Sequence, residues 1–356
     1  MKKYLFCLPL ALCFLLTGCG RYAGALPYGR EIEDMELIRT LGVDVAPAGV
    51  KITASGGDQE ETRVVTGEAD TISAAVLALQ GGGDSYLYFG HVTQLLVGEA
   101  LAGEGLSPAL DYTLRDVEMR LETALYLVQG DAENAIREAA EEGSATERLE
   151  ALAADAGLTA ASMPRTVKDV LADLDRQGAS FVPAVTGDGE LSAAGYGILK
   201  GDALAGWAQG EAALGVNLIF SKVDADVVTV TAGETTAALR VVGAETGVRP
   251  LWDGESLTGL AVTCRVEANL AEGAPMPDEE TLAALAAALE EVEESRMERA
   301  LALAASLDAD YLGLRPAAAL AVPWRKSALL EEKGMAGLEL TARAEATIQR
   351  SYHADG

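Results

Sequence analysis

The segment Met1–Cys19 decides where this chain folds and what it can use to hold itself together. Met1-Lys2-Lys3 is a short basic start, Tyr4–Leu16 is apolar, and Thr17-Gly18 places small residues before Cys19. That order defines a secretory signal. The apolar run is shorter than the ~20 residues a membrane-spanning helix needs. Leu16-Thr17-Gly18-Cys19 has the form of a bacterial lipobox. In such a box the cysteine thiol is alkylated with diacylglycerol and the peptide is cut just before it. We therefore expect residues 1–18 to be a removed signal peptide. Cys19 becomes the lipidated N-terminus, with palmitate among its acyl chains, on the outer face of the cell membrane. Two acyl chains hold a protein stably where one does not. An ordinary signal peptide, or an uncleaved anchor that contains a cysteine, is the alternative.

Cleavage at that point removes Cys7 and Cys13 and leaves Cys19 and Cys264. With Cys19 lipidated, no intramolecular disulfide can form, so the fold rests on its core. A chain of 356 residues has ample length for two or three domains. Cys264 sits in the apolar run Leu260–Val266, where a buried strand thiol is expected rather than a reactive one. The net charge is −28, and losing Lys2 and Lys3 makes the mature chain more acidic still. Phosphate contact needs clustered Lys and Arg, so nucleic acid is excluded as a partner. Adsorption to an anionic bilayer is disfavoured too, which leaves tethering to the lipid. No later segment reaches the ~20 apolar residues of a membrane span.

Residues 19–30, with Gly24, Pro27 and Gly29, read as a flexible tether. Glu31–Leu41 spaces Ile32, Met35, Ile38 and Leu41 at helical intervals and predicts a helix ending at Gly42. Val43–Val45 and Val50–Thr53 predict a hairpin around Pro47-Ala48-Gly49. Thr71 is a good N-cap for a helix to Gln80. Tyr86–Val97 reads as a strand broken near Gly90-His91. Gly98–Ala102 and Ser107–Arg120 read as helices, Ala124–Val128 as a buried strand, Ala132–Glu141 and Val167–Gln177 as helices. Phe181–Val185 is a strand before the turn signal Thr186-Gly-Asp-Gly. Beyond it, Leu191–Leu199, Asp226–Thr231, Thr236–Glu245 and Leu257–Leu270 predict a second, mostly antiparallel sheet. A long amphipathic helix is expected over Pro277–Leu307, a shorter one over Tyr311–Leu320, and a last strand over Ala336–Ile348. The expected fold is thus α+β and multi-domain. Mixed and antiparallel sheets pack with helices in an N-terminal domain (31–187) and a C-terminal domain (188–356), the second with a long helix and two lobes at most.

Five phrases, in order behind the lipobox, carry a resemblance. They are Arg30–Asp44 ending Gly-Val-Asp, Phe89-Gly-His-Val-Thr-Gln-Leu-Leu-Val-Gly-Glu-Ala-Leu-Ala102, and Leu114-Arg-Asp-Val-Glu-Met-Arg120. Gly195-Tyr-Gly-Ile-Leu-Lys-Gly-Asp202 with Gly206-Trp207, and Ala309-Asp-Tyr-Leu-Gly-Leu314 with Trp324, complete the set. Together they resemble the C-subunit lipoproteins of bacterial spore germination receptors, the GerAC or Ger(x)C family. Where members often carry Trp-Asp after the lipidated cysteine, this chain has Gly20-Arg21 and a longer tether. The resemblance implies an α+β fold of more than one domain and no catalytic activity. It implies a nutrient-sensing complex in the spore inner membrane with two integral membrane subunits, one carrying a large soluble domain and one transporter-like.

Arg115, Asp116, Glu118 and Arg120 put alternating charges within two turns of the expected helix. Arg115 with Glu118 and Asp116 with Arg120 are then spaced to pair. This is a partner-contact surface or a structural ion network. Trp207 is a second partner anchor or a buried cap on its hairpin. His91 is expected to be structural, and with His353 in the polar tail it gives no metal spacing. Gly81–Asp84 lacks the context of a phosphate loop, and Gly187-Asp188-Gly189 lacks the other ligands of a calcium loop. The run Glu290–Ser295 is expected on the solvated face of the long helix. No catalytic residue, cofactor or metal site is indicated beyond the lipid on Cys19. A solute-binding lipoprotein of a transport system is the alternative function. Such proteins have two parallel α/β lobes, which the strand-rich second half does not favour. A cell-envelope hydrolase would need a nucleophile, base or metal set that no motif supplies.

Overall fold

The computed structural model describes residues 35–56, 63–81, 85–141, 143–154, 163–186, 191–223, 226–273 and 277–349. The expected signal peptide, Cys19, the tether, His353 and the Gly187–Gly189 turn lie outside them. Two sheets organise the fold.

The first sheet begins with β1 (Met35–Ala46), β2 (Gly49–Gly56) and β3 (Val64–Ala69), joined as antiparallel neighbours. Helix α1 (Ile72–Gln80) and strands β4 (Tyr86–Tyr88) and β5 (Gln94–Gly98) follow. Next come α2 (Glu99–Glu104), α3 (Ser107–Arg115), β6 (Ala124–Gln129), α4 (Ala132–Glu141), α5 (Ala145–Ala154) and α6 (Val167–Gln177). Strands β7 (Ala179–Thr186), β8 (Ala193–Lys200) and β9 (Ala203–Ala208) close the sheet, whose order is β3-β2-β1-β5-β6-β7-β8-β9 with β4 paired to β1. The central pairs β1–β5, β5–β6 and β6–β7 are parallel. Parallel strands need cover on both faces. Here α1, α2, α3 and α6 bury one face and α4 and α5 the other.

That burial explains why the expected opening helix over Glu31–Leu41 is, from Met35 onward, a strand. Ile38, Leu41 and Val43 are fully buried, and the alternate Thr40 and Asp44 are buried as well. A chain covered on both sides shows no period-2 alternation, and its apolar spacing imitates a helix. Gly42 does not end anything. A Cβ there would sit 2.7 Å from Ile136 Cδ1, so its bareness lets α4 pack on β1. The hairpin at Pro47–Gly49 forms as expected, with Ala46 opposite Gly49. Helix α1 is capped by Thr71, whose Oγ1 accepts from Ala74 N. Helix α6 carries a full capping box, Thr166 with Asp169.

The second sheet, β10 (Val227–Ala232), β11 (Thr235–Asp253), β12 (Ser256–Glu272) and β13 (Glu339–Gln349), is antiparallel except for the β12–β13 pair. The strand expected over Leu191–Leu199 does not join it. As β8 it turns back on β7 and extends the first sheet, because short antiparallel hairpins keep β7, β8 and β9 adjacent. The division expected at 187–188 falls between these paired strands. Helix α7 (Glu211–Ile219) then leads to β10. The long helix α8 (Glu279–Leu307) is the crossover between β12 and β13, and it buries Leu285, Leu289, Met297 and Leu301 on the sheet. Gly215 of α7 meets α8 so closely that a Cβ would lie 2.0 Å from Arg296 O.

The acidic run of α8 is not a solvated face. Glu290 and Glu294 accept from Ala346 N and Ala344 N on the outer edge of β13, at 2.9 and 3.0 Å. Carboxylates thereby cap an edge strand that would otherwise be open. Glu293 points inward and is fully buried. Helices α9 (Leu314–Ala321) and α10 (Lys326–Leu330) precede β13. Cys264 is buried in β12 as expected, and burial raises its thiol pKa.

Candidate partner surface

Several residues of the five sequence phrases are joints. Asp44 is buried in β1, and its two carboxylate oxygens accept from Ala132 N and Glu133 N, both at 2.8 Å, at the start of α4. Gly98 of the second phrase leaves room for it, since a Cβ would lie 2.0 Å from Asp44 Oδ1. Burial raises the Asp44 pKa against those two hydrogen bonds. In the last phrase Asp310 caps α9 through Leu314 N and Arg315 N, at 2.7 and 2.9 Å, and burial pushes its pKa up to about 6. Tyr311 donates to Ala300 O and ties this segment to α8. Lys200, in β8, donates to Leu307 O and Asp308, which joins the first sheet to the end of α8.

The phrase Leu114–Arg120 behaves differently. Helix α3 stops at Arg115, five residues before the expected end at Arg120. Asp116 leaves the helical region with ψ 133°, and its Oδ1 accepts from Glu118 N at 2.9 Å. A side chain that satisfies the backbone two residues on favours a turn over another helical turn. Neither expected pair, Arg115 with Glu118 or Asp116 with Arg120, is present. Arg115 instead pairs with Asp111 at 2.6 Å, an exposed contact worth ~0.3–0.5 kcal/mol. Glu118 Oε2 accepts from Phe89 N at 3.1 Å, which brings this phrase against the Gly90-His91 phrase. Met119 is buried beneath, and Arg120 is exposed.

This turn is held at Asp116, Glu118 and Met119, and it thrusts Val117 outward at 87 % exposure. Val117 shares a hollow of about 460 Å³ with Leu77, which is 72 % exposed, and with Tyr86, Phe89, Tyr112, Asp116 and Glu118. Leu114, on the last turn of α3, is 55 % exposed. Burial, with the nearby Asp116 and Glu118 carboxylates, raises the Tyr112 hydroxyl pKa. Apolar side chains held outside a fixed, charged rim suit a protein contact. The hollow also lies beside the described start of β1, because Met35 pairs with Tyr86 and Leu37 with Tyr88. The Gln80 side-chain amide fixes β4 there by bonding both Leu87 O and Leu87 N.

Trp207 does not belong to this surface. It is half-buried in β9, packs beside Leu204 and donates to Glu99 Oε1 at 3.4 Å. It lies towards the opposite end of α3, where Ser107 N is held by Asp202 of the β8–β9 turn. His91 is exposed and packs its ring edgewise on Tyr88, 5.7 Å between centroids. Sequence reasoning did not single out Leu77 or Val117. The signal for Leu77 was present, since it falls off the inward face set by Ile72, Ala75 and Leu79. Among the described residues no group of three or more His, Cys, Asp or Glu side chains is placed to hold a metal ion. No helix among them is long and apolar enough to cross a membrane.

Comparison with known proteins gives one consistent match. Residues 29–187 match the family described as the spore germination protein N-terminal domain. Residues 194–351 match the family described as spore germination B3/GerAC like, C-terminal. The crystal structure of the GerBC protein shares the fold, with a TM-score of 0.60 at 14 % identity over 87 % of this chain and 96 % of that one. No curated protein sequence matches.

Proposed function

The chain belongs to the GerAC family of spore germination proteins, and from that premise we propose that it is a non-catalytic, lipid-anchored subunit of a nutrient germinant receptor. One observation carries the reading. Asp44, Glu118, Lys200 and Asp310 of the sequence phrases are spent on joints within the fold, and the α3 turn is left with Val117, Leu77 and Leu114 held in solvent beside the described start of β1. A subunit tethered through Cys19 sits at the membrane surface, and confinement there raises its effective concentration for membrane-embedded partners. The turn is then within reach of those partners, one with a large soluble domain and one transporter-like. The subunit's contribution is to bind and position them, with the spore inner membrane as its location.

The tether is tested by growing sporulating cells with labelled palmitate and fractionating them. The expected result is label on the wild-type chain in the membrane fraction. A Cys19→Ala chain is expected to be unlabelled and absent from that fraction. Membrane recovery of Cys19→Ala at the wild-type level would remove the lipid from the mechanism.

A further inference from the structure

A cleft of about 670 Å³ lies between α9, the end of α6 and β11. Ile219, Phe220, Val248 and Leu314 line it, and Leu320 stands on it at 83 % exposure. One wall is a strand edge with no strand paired to it among the described residues. There β10 pairs with residues 235–240 of β11, whereas β12 follows the other edge to Asp253. Thr246 N donates to Ser221 Oγ at 3.1 Å, away from β12, and the β11–β12 register is unbroken from Gly243 to Leu251. Backbone groups alternate sides along a strand, so Val248 and Pro250 also face the cleft. Pro250 has no N–H to offer, which limits strand addition to a short stretch around Val248.

Besides Ser221, Thr246 and Asp173, whose carboxylate is held by Arg165 and Ser180, the cleft carries three more polar side chains. Gln177 is only 6 % exposed, and among the described residues its amide has no hydrogen-bond partner. Arg176 and Arg249 are exposed on the cleft, and neither forms an ion pair among the described residues. Two guanidinium groups on one cleft with no ion pair among the described residues are conspicuous in a chain of net charge −28. We infer that this cleft binds a short extended segment of a partner polypeptide that carries carboxylates between apolar side chains. The segment's backbone pairs with Val248 and Gln177, its apolar side chains cover Leu320 and Phe220, and its carboxylates meet Arg176 and Arg249. The strand edge favours a polypeptide over a small acid, because it offers a backbone donor and acceptor in strand register. This inference does not rest on the receptor reading, since the cleft and the α3 turn are separate surfaces.

The test uses the full-length chain in mild detergent and two labelled peptides, one alternating Leu with Glu and one alternating Leu with Lys. Fluorescence polarisation should show binding of the Leu-Glu peptide and not of the Leu-Lys peptide. Charge reversal by Arg176→Glu with Arg249→Glu should weaken the first by at least about tenfold and let the second bind. Both substitutions are on the surface, so unchanged thermal melting confirms the fold. Equal binding of the two peptides, or no response to the reversal, would overturn the inference. N-acetyl-leucine binding as tightly as the peptide would make the cleft a small-acid site instead. A concentration-dependent dimer in sedimentation, lost with Leu320→Asp, would assign the cleft to a second copy.

Discussion

Replacing Glu293 with Gln should stabilise this protein at neutral pH and leave it unchanged in mild acid. Glu293 lies on α8 with no solvent exposure, and both its oxygens are 3.2 Å from Arg296 Nη1. The same guanidinium also holds Asp226 at 2.5 Å and Glu211 at 2.7 Å. One cation is thus shared among three carboxylates, and the buried Cys264 thiol is also close enough to feel Glu293. Burial pushes the Glu293 carboxyl from an ordinary 4.5 up to about 7. Asp226 and Glu211 add to the shift, and Arg296 opposes it. Between these two values the folded state keeps a proton that the unfolded chain releases, so rising pH favours unfolding. Each pH unit in that window withdraws on the order of 1 kcal/mol, and the whole window on the order of a few kcal/mol. Gln keeps an acceptor for Arg296 and does not titrate. Calorimetric melts of both chains should coincide at about pH 5, with the variant ~5–10 °C more stable at about pH 7.5. A gap between wild type and variant that is the same at both pH values, or a variant less stable at neutral pH, would refute the reasoning.

Asp44→Ala removes both acceptors from the first turn of α4 and strands two backbone donors, one of them buried. Urea denaturation should show a loss of ~2–3 kcal/mol. Gly215→Val drives a side chain into Arg296 O across the α7–α8 crossing, and should lower stability by ~1–3 kcal/mol in the same assay. Val117→Asp touches no packed atom, so its melting should stay within ~0.5 kcal/mol of wild type. Recovery of membrane partners with it should nevertheless fall. Undiminished recovery would take the α3 turn out of the interface.

Much of the fold is legible in the sequence, and the failures share a cause. Helices α1, α4 and α6 and strand β6 show their cap or period directly, through Thr71 and the spacing of their apolar residues. Strand β1 was misread because both of its faces are buried, which erases alternation and leaves spacing that fits a helix as well. The end of α3 was misread because nothing in the pattern Arg-Asp-Val-Glu-Met-Arg shows that Asp116 will bond Glu118 N in place of continuing the helix. The acid run of α8 looks solvated by composition. Only the parallel placement of β13 beside it gives Glu290 and Glu294 amides to cap and turns Glu293 inward. At the candidate surface the sequence supplied the right phrase and the wrong geometry. The charges of Asp116 and Glu118 hold the turn from within, and Val117 between them is the exposed group. The cleft at Gln177 was not legible at all, since it is assembled from α6, β11 and α9, far apart in the chain.

The most direct test of the central claim is co-purification. An affinity-tagged copy, extracted from sporulating cells in mild detergent, is analysed for the proteins that accompany it. The account predicts two integral membrane proteins, one with a large soluble domain and one resembling a transporter, and predicts that Val117→Asp depletes both. Recovery of the chain alone, under conditions that keep other membrane complexes intact, or in company with an ATP-driven importer, would contradict it.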